Sequence, residues 1–266
     1  MPNRIGFVGA GRMGSILLKG FLSERVVDVE DLTAYDIESD KLKEIARQTG
    51  LTESDSLKQL LEASDIIFLC VKPVEMERVL GLVGPHAKDI LIVSVAAGVS
   101  TSFIEARCPD SRVIRVMPNH CGLVSEMASA YCVGQSANKE DMAAIEALLE
   151  SVGKVYRVEE THMDVVTGLS GSGPAYIYLV IEALAAAAEK QGLSKSVAFG
   201  LAVQTVKGAA EMADSSQQKT GELIDSVCSP GGTTIEGMKI LKQYQVSEAF
   251  MEAVDAATKK SRELLV

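Results

Sequence analysis

The sequence predicts an α/β protein with a doubly wound parallel sheet in residues 1–161 and an all-helical domain in residues 162–266. Three observations support this prediction. A length of 266 residues favours two domains. Short apolar runs alternate with amphipathic segments in the first part, which is typical of buried parallel strands and their crossover helices. The second part has helical periodicity throughout.

The predicted strands and helices of the first part alternate along the chain. Each strand is a short β-branched run, and each helix has apolar residues on one face. Strands are predicted at 5–8, 32–35, 66–71, 90–95, 113–116, 128–133 and around Val155, and helices at 13–21, 41–48, 74–82, 101–106 and 139–151.

The first predicted helix of the second part, residues 175–190, is apolar on nearly all sides, as in a helix buried in a bundle or an interface. Helical periodicity continues at 196–213, 221–226, 234–244 and 247–265. A domain of about 100 residues buries only a small core by itself. We therefore expect it to complete its core against another subunit.

Composition and charge exclude several classes of protein. Apolar residues make up 47% of the chain, which excludes general disorder, and a net charge of −10 argues against nucleic-acid partners. No continuous apolar run reaches the roughly 18 residues of a membrane span. The five cysteines and three histidines have no disulfide or metal-site spacing. We therefore expect a reduced, cytoplasmic protein without a metal, a signal peptide or a membrane segment.

The segment Gly9-Ala10-Gly11-Arg12-Met13-Gly14 lies between the first predicted strand and the first predicted helix. Glycines here allow a tight turn and a close approach of the backbone to a pyrophosphate, which the N–H groups at the helix N-terminus then bind. The pattern in this context predicts a Rossmann-type dinucleotide-binding loop. The alternative is a tight turn with a purely structural role.

Asp36 ends the second predicted strand, 36 − 14 = 22 residues after the last glycine of that loop. An acid about 20 residues after the loop is expected to bind the ribose diol of the adenosine. A carboxylate here repels a 2′-phosphate, and Glu38 adds to the repulsion, so the charge favours NADH over NADPH. The alternative is that Asp36 is only the N-cap of the following helix.

Three further segments follow predicted strands: Val71-Lys72-Pro73, residues 94–98 and Met117-Pro118-Asn119. Ligands of open α/β sheets bind at this carboxyl edge. The small residues Ala96 and Ala97 would let the nicotinamide ribose approach the backbone, and the Asn119 amide can both donate and accept. Lys72 fits a contact with phosphate or substrate, or an ordinary surface lysine.

Two glycine-rich segments precede predicted helices in the second part, at 168–174 and 227–234. The latter contains Ser229, Gly232, Thr233 and Thr234. Hydroxyls and free N–H groups at a helix N-terminus can bind a carboxylate. Beside a dinucleotide-binding loop, they favour a small anionic substrate; the alternative is a capped loop between helices.

These motifs together resemble pyrroline-5-carboxylate reductase, in order and from residue 4 to beyond residue 238. The segments with the most weight are Arg115-Val-Met-Pro-Asn119, Gly171-Ser-Gly-Pro-Ala-Tyr176 and, most specific, Ser229-Pro-Gly-Gly-Thr-Thr234. The resemblance implies hydride transfer from NADPH or NADH to the C=N bond of 1-pyrroline-5-carboxylate, a cyclic imino acid. The product is L-proline, in the last step of its biosynthesis. The resemblance also implies an interlocked homodimer, which in this family commonly assembles into a decamer.

The resemblance also implies roles for individual residues. Thr234 and Ser229 would act at the catalytic centre, with the Thr234 hydroxyl near the ring nitrogen. The substrate would be bound by Val227, Ser229, Gly232, Thr233 and Thr234. The cofactor would be bound by Gly9, Ala10, Gly11, Arg12, Met13, Gly14, Asp36, Ser56, Val71, Lys72, Pro73, Ala96, Ala97 and Asn119.

The chain departs from the family pattern at two places. His120 and Cys121 follow Asn119 where the family usually has Thr-Pro, and we expect a variant without a catalytic role. The alternative is that His120 adds a hydrogen bond or a proton source near the site. Asp36 stands where many members have a hydroxyl, Asn or Arg group, which leaves the cofactor preference less secure than the reaction.

Three alternative functions fit parts of the sequence. A β-hydroxyacid dehydrogenase would need a lysine as proton donor at the position of Ile177. A redox sensor that binds a dinucleotide without turnover would have no evident use for the 227–234 segment. A reductase for a six-membered cyclic imine differs only in residues of the pocket wall, which one sequence does not locate.

Overall fold

A computed structural model describes residues 4–264 of the chain. They form two compact units, one comprising the chain up to Ser172 together with the chain from Val254 onward, and one comprising Gly173–Ala253. The predicted domain boundary after residue 161 stays a prediction, because a dimerisation domain is defined by an assembly and these units by contacts within one chain.

The first unit is built on an eight-stranded sheet with the order β3-β2-β1-β4-β5-β6-β7-β8. The order changes direction between β1 and β4, as in a doubly wound fold. The strands are β1 (Ile5–Val8), β2 (Leu32–Tyr35), β3 (Thr52–Glu53), β4 (Ile66–Leu69), β5 (Leu91–Ser94), β6 (Arg112–Met117), β7 (Met127–Val133) and β8 (Gly153–Arg157).

The sheet is mostly parallel, and one pair differs from the predicted parallel sheet. β7 runs antiparallel to β6. The physical reason is the connection between them, because the segment from Pro118 to Glu126 is too short for the crossover that a parallel strand needs. A full helix connects β7 to β8, and that pair is parallel again.

Helices cover both faces of this sheet. They are α1 (Arg12–Ser23), α2 (Ser39–Thr49), α3 (Leu57–Glu62), α4 (Met76–Val83), α5 (Thr101–Glu105), α6 (Lys139–Glu150) and α7 (Met163–Val166). Alternate strand residues enter opposite cores: Phe7 and Phe68 stack at 5.0 Å on one face, while Ile67 packs on the other. Burial on both faces explains why the strands are continuous apolar runs.

The second unit contains α8 (Gly173–Lys190), α9 (Lys195–Ser215), α10 (Thr220–Val227), α11 (Thr233–Gln243) and the beginning of α12 (Val246–Glu263). The predicted all-helical second part is therefore confirmed; the predicted end of its last helix, Leu265, lies outside the described residues. Ala185 is the buried residue of α8, while Tyr178 and Leu179 are more than half exposed.

The segment that leads into α8 differs from the sequence prediction. The predicted loop at 168–174 is not a loop, because Thr167–Gly171 form a π-helical turn that continues α7. Among the described residues, the helical segment Glu160–Lys190 is long and apolar enough, by length and composition alone, to cross a membrane, a test that core helices of soluble proteins also pass.

An exposed ion pair fixes the beginning of β1. The Arg4 backbone N–H donates to Asp65 Oδ2 at 3.0 Å, and its Nη2 donates to Oδ1 at 2.9 Å. These hydrogen bonds stabilise the carboxylate, so they lower the pKa of Asp65 below its ordinary value of 3.8.

Asp65→Asn is expected to lower the melting temperature at neutral pH, because a carboxyl with a depressed folded pKa stabilises the fold above its unfolded pKa. The difference from wild type should shrink as the pH falls below 3.8 and through the lower folded pKa. Thermal melts of both proteins across this range measure it. A difference that does not depend on pH would assign the effect to the hydrogen bonds alone.

Candidate active site

The glycine loop after β1 requires glycine at two positions for steric reasons. Gly9 has φ +96°, and a Cβ added there would lie 2.8 Å from the Cys70 carbonyl oxygen. A Cβ added at Gly14 would lie 2.2 Å from the Gly9 carbonyl oxygen. A Cβ at Gly11 would instead enter open space. The loop is therefore a close-packed turn with room in front of it, which is what a bound pyrophosphate needs.

The N-terminus of α1 faces that open space with its positive end. Gly11 is the N-cap and provides no side-chain cap, and the first turn has no acidic residue. The first N–H groups of the helix are thus left for a ligand. Ala10, Arg12 and Met13 complete the loop, with Arg12 exposed. This arrangement fits the diphosphate of a nicotinamide dinucleotide, which supplies a hydride when bound.

A cavity of about 350 Å³ lies beside the loop at the carboxyl edge of the sheet. It brings together residues that are distant in sequence, including the predicted Gly9, Gly11, Asp36, Val71 and Lys72. Arg78 also lines it, and its Nε donates to Glu75 Oε2 at 3.0 Å. Sequence reasoning missed Arg78, because its position in the middle of a helix carries no motif.

Asp36 connects the end of β2 to the glycine loop. Its Oδ2 accepts the Ala10 N–H at 2.7 Å, and its Oδ1 accepts the Glu38 N–H at 2.8 Å. The alternative that Asp36 is an N-cap was wrong, because Glu38 occupies that position before α2. Asp36 therefore shapes the loop in addition to placing negative charge in the cavity.

Two other predicted cofactor residues lie at the beginnings of helical segments. Ser56 is the N-cap of α3, where its Oγ accepts the Gln59 N–H at 3.2 Å. Pro73 begins the 3-10 turn Pro73–Glu75 directly after Lys72. Neither side chain lines the cavity, although their neighbours Leu57 and Lys72 do.

The 94–98 loop after β5 and the end of β6 form the other part of the edge. Ser94 Oγ accepts the Ala96 N–H at 3.3 Å, and Ala96 and Asn119 are buried. Ala97 packs with a small cluster around Met117. The Asn119 Nδ2 donates to the Ser170 carbonyl in the π-helical turn at 3.0 Å, and its Oδ1 accepts the Cys121 N–H at 3.1 Å. Asn119 thus fixes the turn that begins at His120.

The predicted substrate segment lies in the helical unit. The Gly232 N–H donates to the Ser229 carbonyl at 2.9 Å, and Gly231 has φ +73°. Gly232 is the N-cap of α11 and provides no side-chain cap. The helix therefore begins at Thr233 and Thr234 with free N–H groups. Val227 and Thr234 line an apolar groove of about 450 Å³ in the same unit. The segment therefore combines anion donors with an apolar wall.

Cysteines near the cofactor edge are not activated for nucleophilic chemistry. Burial raises the pKa of Cys70 well above its usual range, and that of Cys132 to about 12. Within residues 4–264, no three His, Cys, Asp or Glu side chains group together as a metal site would require. The absence of a metal cofactor stays a prediction.

Comparison with known proteins covers the whole chain. Residues 160–264 match the family model "Pyrroline-5-carboxylate reductase dimerisation", and residues 4–98 match "NADP oxidoreductase coenzyme F420-dependent". A pyrroline-5-carboxylate reductase of Methanosarcina acetivorans is 43% identical over 263 residues, 98% of this chain and 97% of that protein. One from Arabidopsis thaliana is 38% identical, over 98% of this chain and 95% of its own.

Solved structures give the same result. The crystal structure of Plasmodium falciparum pyrroline carboxylate reductase with NADP bound is 33% identical, covers 98% of both chains and has a TM-score of 0.91. A pyrroline-5-carboxylate reductase from Coxiella burnetii has a TM-score of 0.92 at 33% identity, over 100% of both chains. With full-length identity of this order to several relatives, the chain belongs to the pyrroline-5-carboxylate reductase family, the NAD(P)-dependent oxidoreductases of proline biosynthesis.

Proposed function

We propose that the chain reduces the C=N bond of 1-pyrroline-5-carboxylate to give L-proline, by positioning the two reactants rather than by acid–base chemistry. The observation that carries this proposal is that one chain contains both a glycine loop shaped for a pyrophosphate and, in its helical unit, a 229–234 segment shaped for a small carboxylate. Family membership supplies the identity of the substrate.

The chain's own residues have few chemical tasks in this reaction. Water can protonate the imine before it binds, so no side chain has to deliver that proton. The α11 N-terminus holds the substrate carboxylate, with Ser229 and Thr233 beside it. The Thr234 hydroxyl bonds the ring nitrogen in either protonation state. Val71, Ala96 and Ala97 would form the wall beside a bound nicotinamide, and exclusion of water there would favour direct transfer.

The proposed cofactor is NADH in preference to NADPH. The carboxylates of Asp36 and Glu38 line the cavity where the adenosine ribose would lie, and a 2′-phosphate would be repelled there. Lys72 and Arg78 line the same cavity, but Arg78 is already paired with Glu75. The relative from Plasmodium falciparum has NADP bound. The preference between NADH and NADPH therefore has to be measured on this chain itself.

We also propose that the protein is a cytoplasmic homodimer, further assembled as a decamer. Apolar side chains on α8 and α9, including Tyr178, Leu179 and Phe199, are about half exposed or more in the single chain. A second subunit would cover them, and the same contact accounts for the apolar character of the long helix. The matched dimerisation model supports the homodimer.

The test is the loss of absorbance of NADH, and separately of NADPH, when pyrroline-5-carboxylate is added to the purified protein. We expect rapid oxidation, with kcat/KM larger for NADH. If the folded protein binds a dinucleotide but oxidises neither cofactor, the proposed reaction is wrong. The six-membered cyclic imine, tested in parallel, measures the ring-size preference.

A further inference from the structure

The last described turns of α12 lie in the same compact unit as the cofactor edge. The turns of α12 from Val254 onward belong to the unit of the sheet, whereas α12 begins in the helical unit. Two of their polar side chains are almost completely buried there, with Ser261 1% and Thr258 6% exposed. This segment, residues 254–264, is called the C-terminal brace below.

The C-terminal brace contacts two glycines that flank the proposed nicotinamide end. A Cβ added at Gly98 would lie 2.9 Å from Leu264 Cβ and 3.0 Å from the Ser261 carbonyl oxygen. A Cβ added at Gly168 would lie 2.5 Å from Thr258 Oγ1. Gly98 ends the 94–98 loop, and Gly168 belongs to the π-helical turn that bonds Asn119. The brace therefore packs against both the 94–98 loop and the π-helical turn.

A buried charge cluster connects the brace to β6. The Ser261 Oγ donates to Asp164 Oδ1 at 2.7 Å, and Arg115 Nη2 lies 3.9 Å from the same carboxylate oxygen. Arg115 is 4% exposed at its side chain and also lies 3.6 Å from Glu160. Within the part of the chain that the structure describes, its Nε and Nη2 have no hydrogen-bond partner. Ser261 therefore donates a direct hydrogen bond to the Asp164 carboxylate, whereas the Arg115 guanidinium interacts with that carboxylate only through its charge.

The same cluster reaches the 94–98 loop from its other side. Glu160 accepts hydrogen bonds from the Thr101 N–H and hydroxyl, both at 2.7 Å, directly after that loop. Arg115 is in register with Ser94, at the beginning of the loop. Asn119 lies two residues after the end of the same strand, β6. The cluster thus lies next to both ends of the 94–98 loop. The hydrogen bonds of Asp36 to the glycine loop are separate from it.

We propose that the C-terminal brace, through Ser261 and Asp164, positions the 94–98 loop and Asn119 for hydride transfer. Ser261 and Asp164 are positioning residues, since they act through the loop and through β6. The inference rests on the proposed function. The inference also extends the proposed function, because it predicts that hydride transfer depends on residues of the C-terminal brace, while binding of the adenosine end of the cofactor does not.

The test compares Ser261→Ala with Ser215→Ala in the full chain. Ser215 is an exposed helical serine whose Oγ donates to the Glu211 carbonyl at 2.8 Å, so it controls for loss of a helical hydroxyl. For Ser261→Ala we expect kcat to fall about 10-fold, because small displacements of reacting groups slow transfer strongly. The isotope effect of NADH deuterated at C4 should increase, and the Kd of ADP-ribose, which lacks the nicotinamide, should stay within about 2-fold of wild type.

Each outcome distinguishes a positioning role from a merely structural one. A reduced fraction of folded enzyme would lower kcat without changing the isotope effect, and that result would overturn the proposal. Equal losses in NADH and ADP-ribose binding would overturn it too. If Ser261→Ala does not fold, the half-exposed Leu264 provides a second variant, Leu264→Ala, for which we expect a smaller loss with the same increase in isotope effect. Wild-type protein without activity would instead disprove the reaction itself.

Discussion

Replacement of Thr234 by alanine is expected to lower kcat/KM for pyrroline-5-carboxylate by about 10- to 100-fold with the fold intact. The reason is the loss of one hydrogen bond to a charged substrate, which is worth about 1.5–3 kcal/mol. Thr234 is half-buried in the first turn of α11, where its removal leaves the helix N-terminus and Gly232 unchanged. The loss should therefore concern the ring nitrogen and leave carboxylate binding in place.

Steady-state kinetics of Thr234→Ala, Thr234→Ser and Thr205→Ala test this role. Thr205 is an exposed threonine of α9 and serves as the matched control. The serine variant keeps the hydroxyl and should recover most of the activity, while Thr205→Ala should behave as wild type. Wild-type kinetics in a folded Thr234→Ala protein would remove Thr234 from the site.

The sheet could be predicted because its strands are buried on both faces. β1 and β2 have the predicted bounds, since their apolar runs are bounded by glycine, aspartate and charged residues. β3 was missed because it has two exposed residues, and α3 because six residues give too little helical periodicity. The antiparallel direction of β7 follows from the short connection between β6 and β7, a length that the prediction of a parallel sheet did not take into account. Short elements and strand direction therefore needed the structure.

The site could be predicted where its chemistry is local in sequence. The glycine loop and the 229–234 segment are each contained in six residues, so a motif describes them completely. Contacts between distant residues leave no such pattern. The bond between Asp164 and Ser261 joins residues 97 apart, and the bond from Ala10 to Asp36 joins residues 26 apart. Those contacts decide how the loops are held, and no spacing rule indicates them.

Asp36 illustrates how the two kinds of information combine. Its spacing from the glycine loop predicted a charge beside the adenosine ribose, and the cavity contains that charge. The structure adds that both carboxylate oxygens already accept backbone N–H groups. A substitution at Asp36 therefore changes the charge of the cavity and the support of the glycine loop together, and an experiment has to separate the two.

Asp36→Asn is expected to lower the ratio of kcat/KM for NADH to that for NADPH by about 10-fold or more. Two unit charges about 4 Å apart near a protein surface interact with roughly 4 kcal/mol, so removing one carboxylate relieves a large repulsion of the 2′-phosphate. Asparagine keeps a carbonyl acceptor for one of the two backbone N–H groups, Ala10 or Glu38. Kinetics with both cofactors at a fixed imine concentration give the ratio directly.

The ratio separates charge from loop support because the two act differently on the cofactors. A weakened glycine loop binds the pyrophosphate of NADH and NADPH equally poorly, so it lowers both kcat/KM values and leaves their ratio unchanged. A relieved repulsion acts on NADPH alone and changes the ratio. Glu53→Gln is the matched control, since Glu53 is an exposed carboxylate at the end of β3 that does not line the cavity. If both variants leave the ratio unchanged, Asp36 acts only as the support of the loop, and the preference for NADH has to come from Glu38.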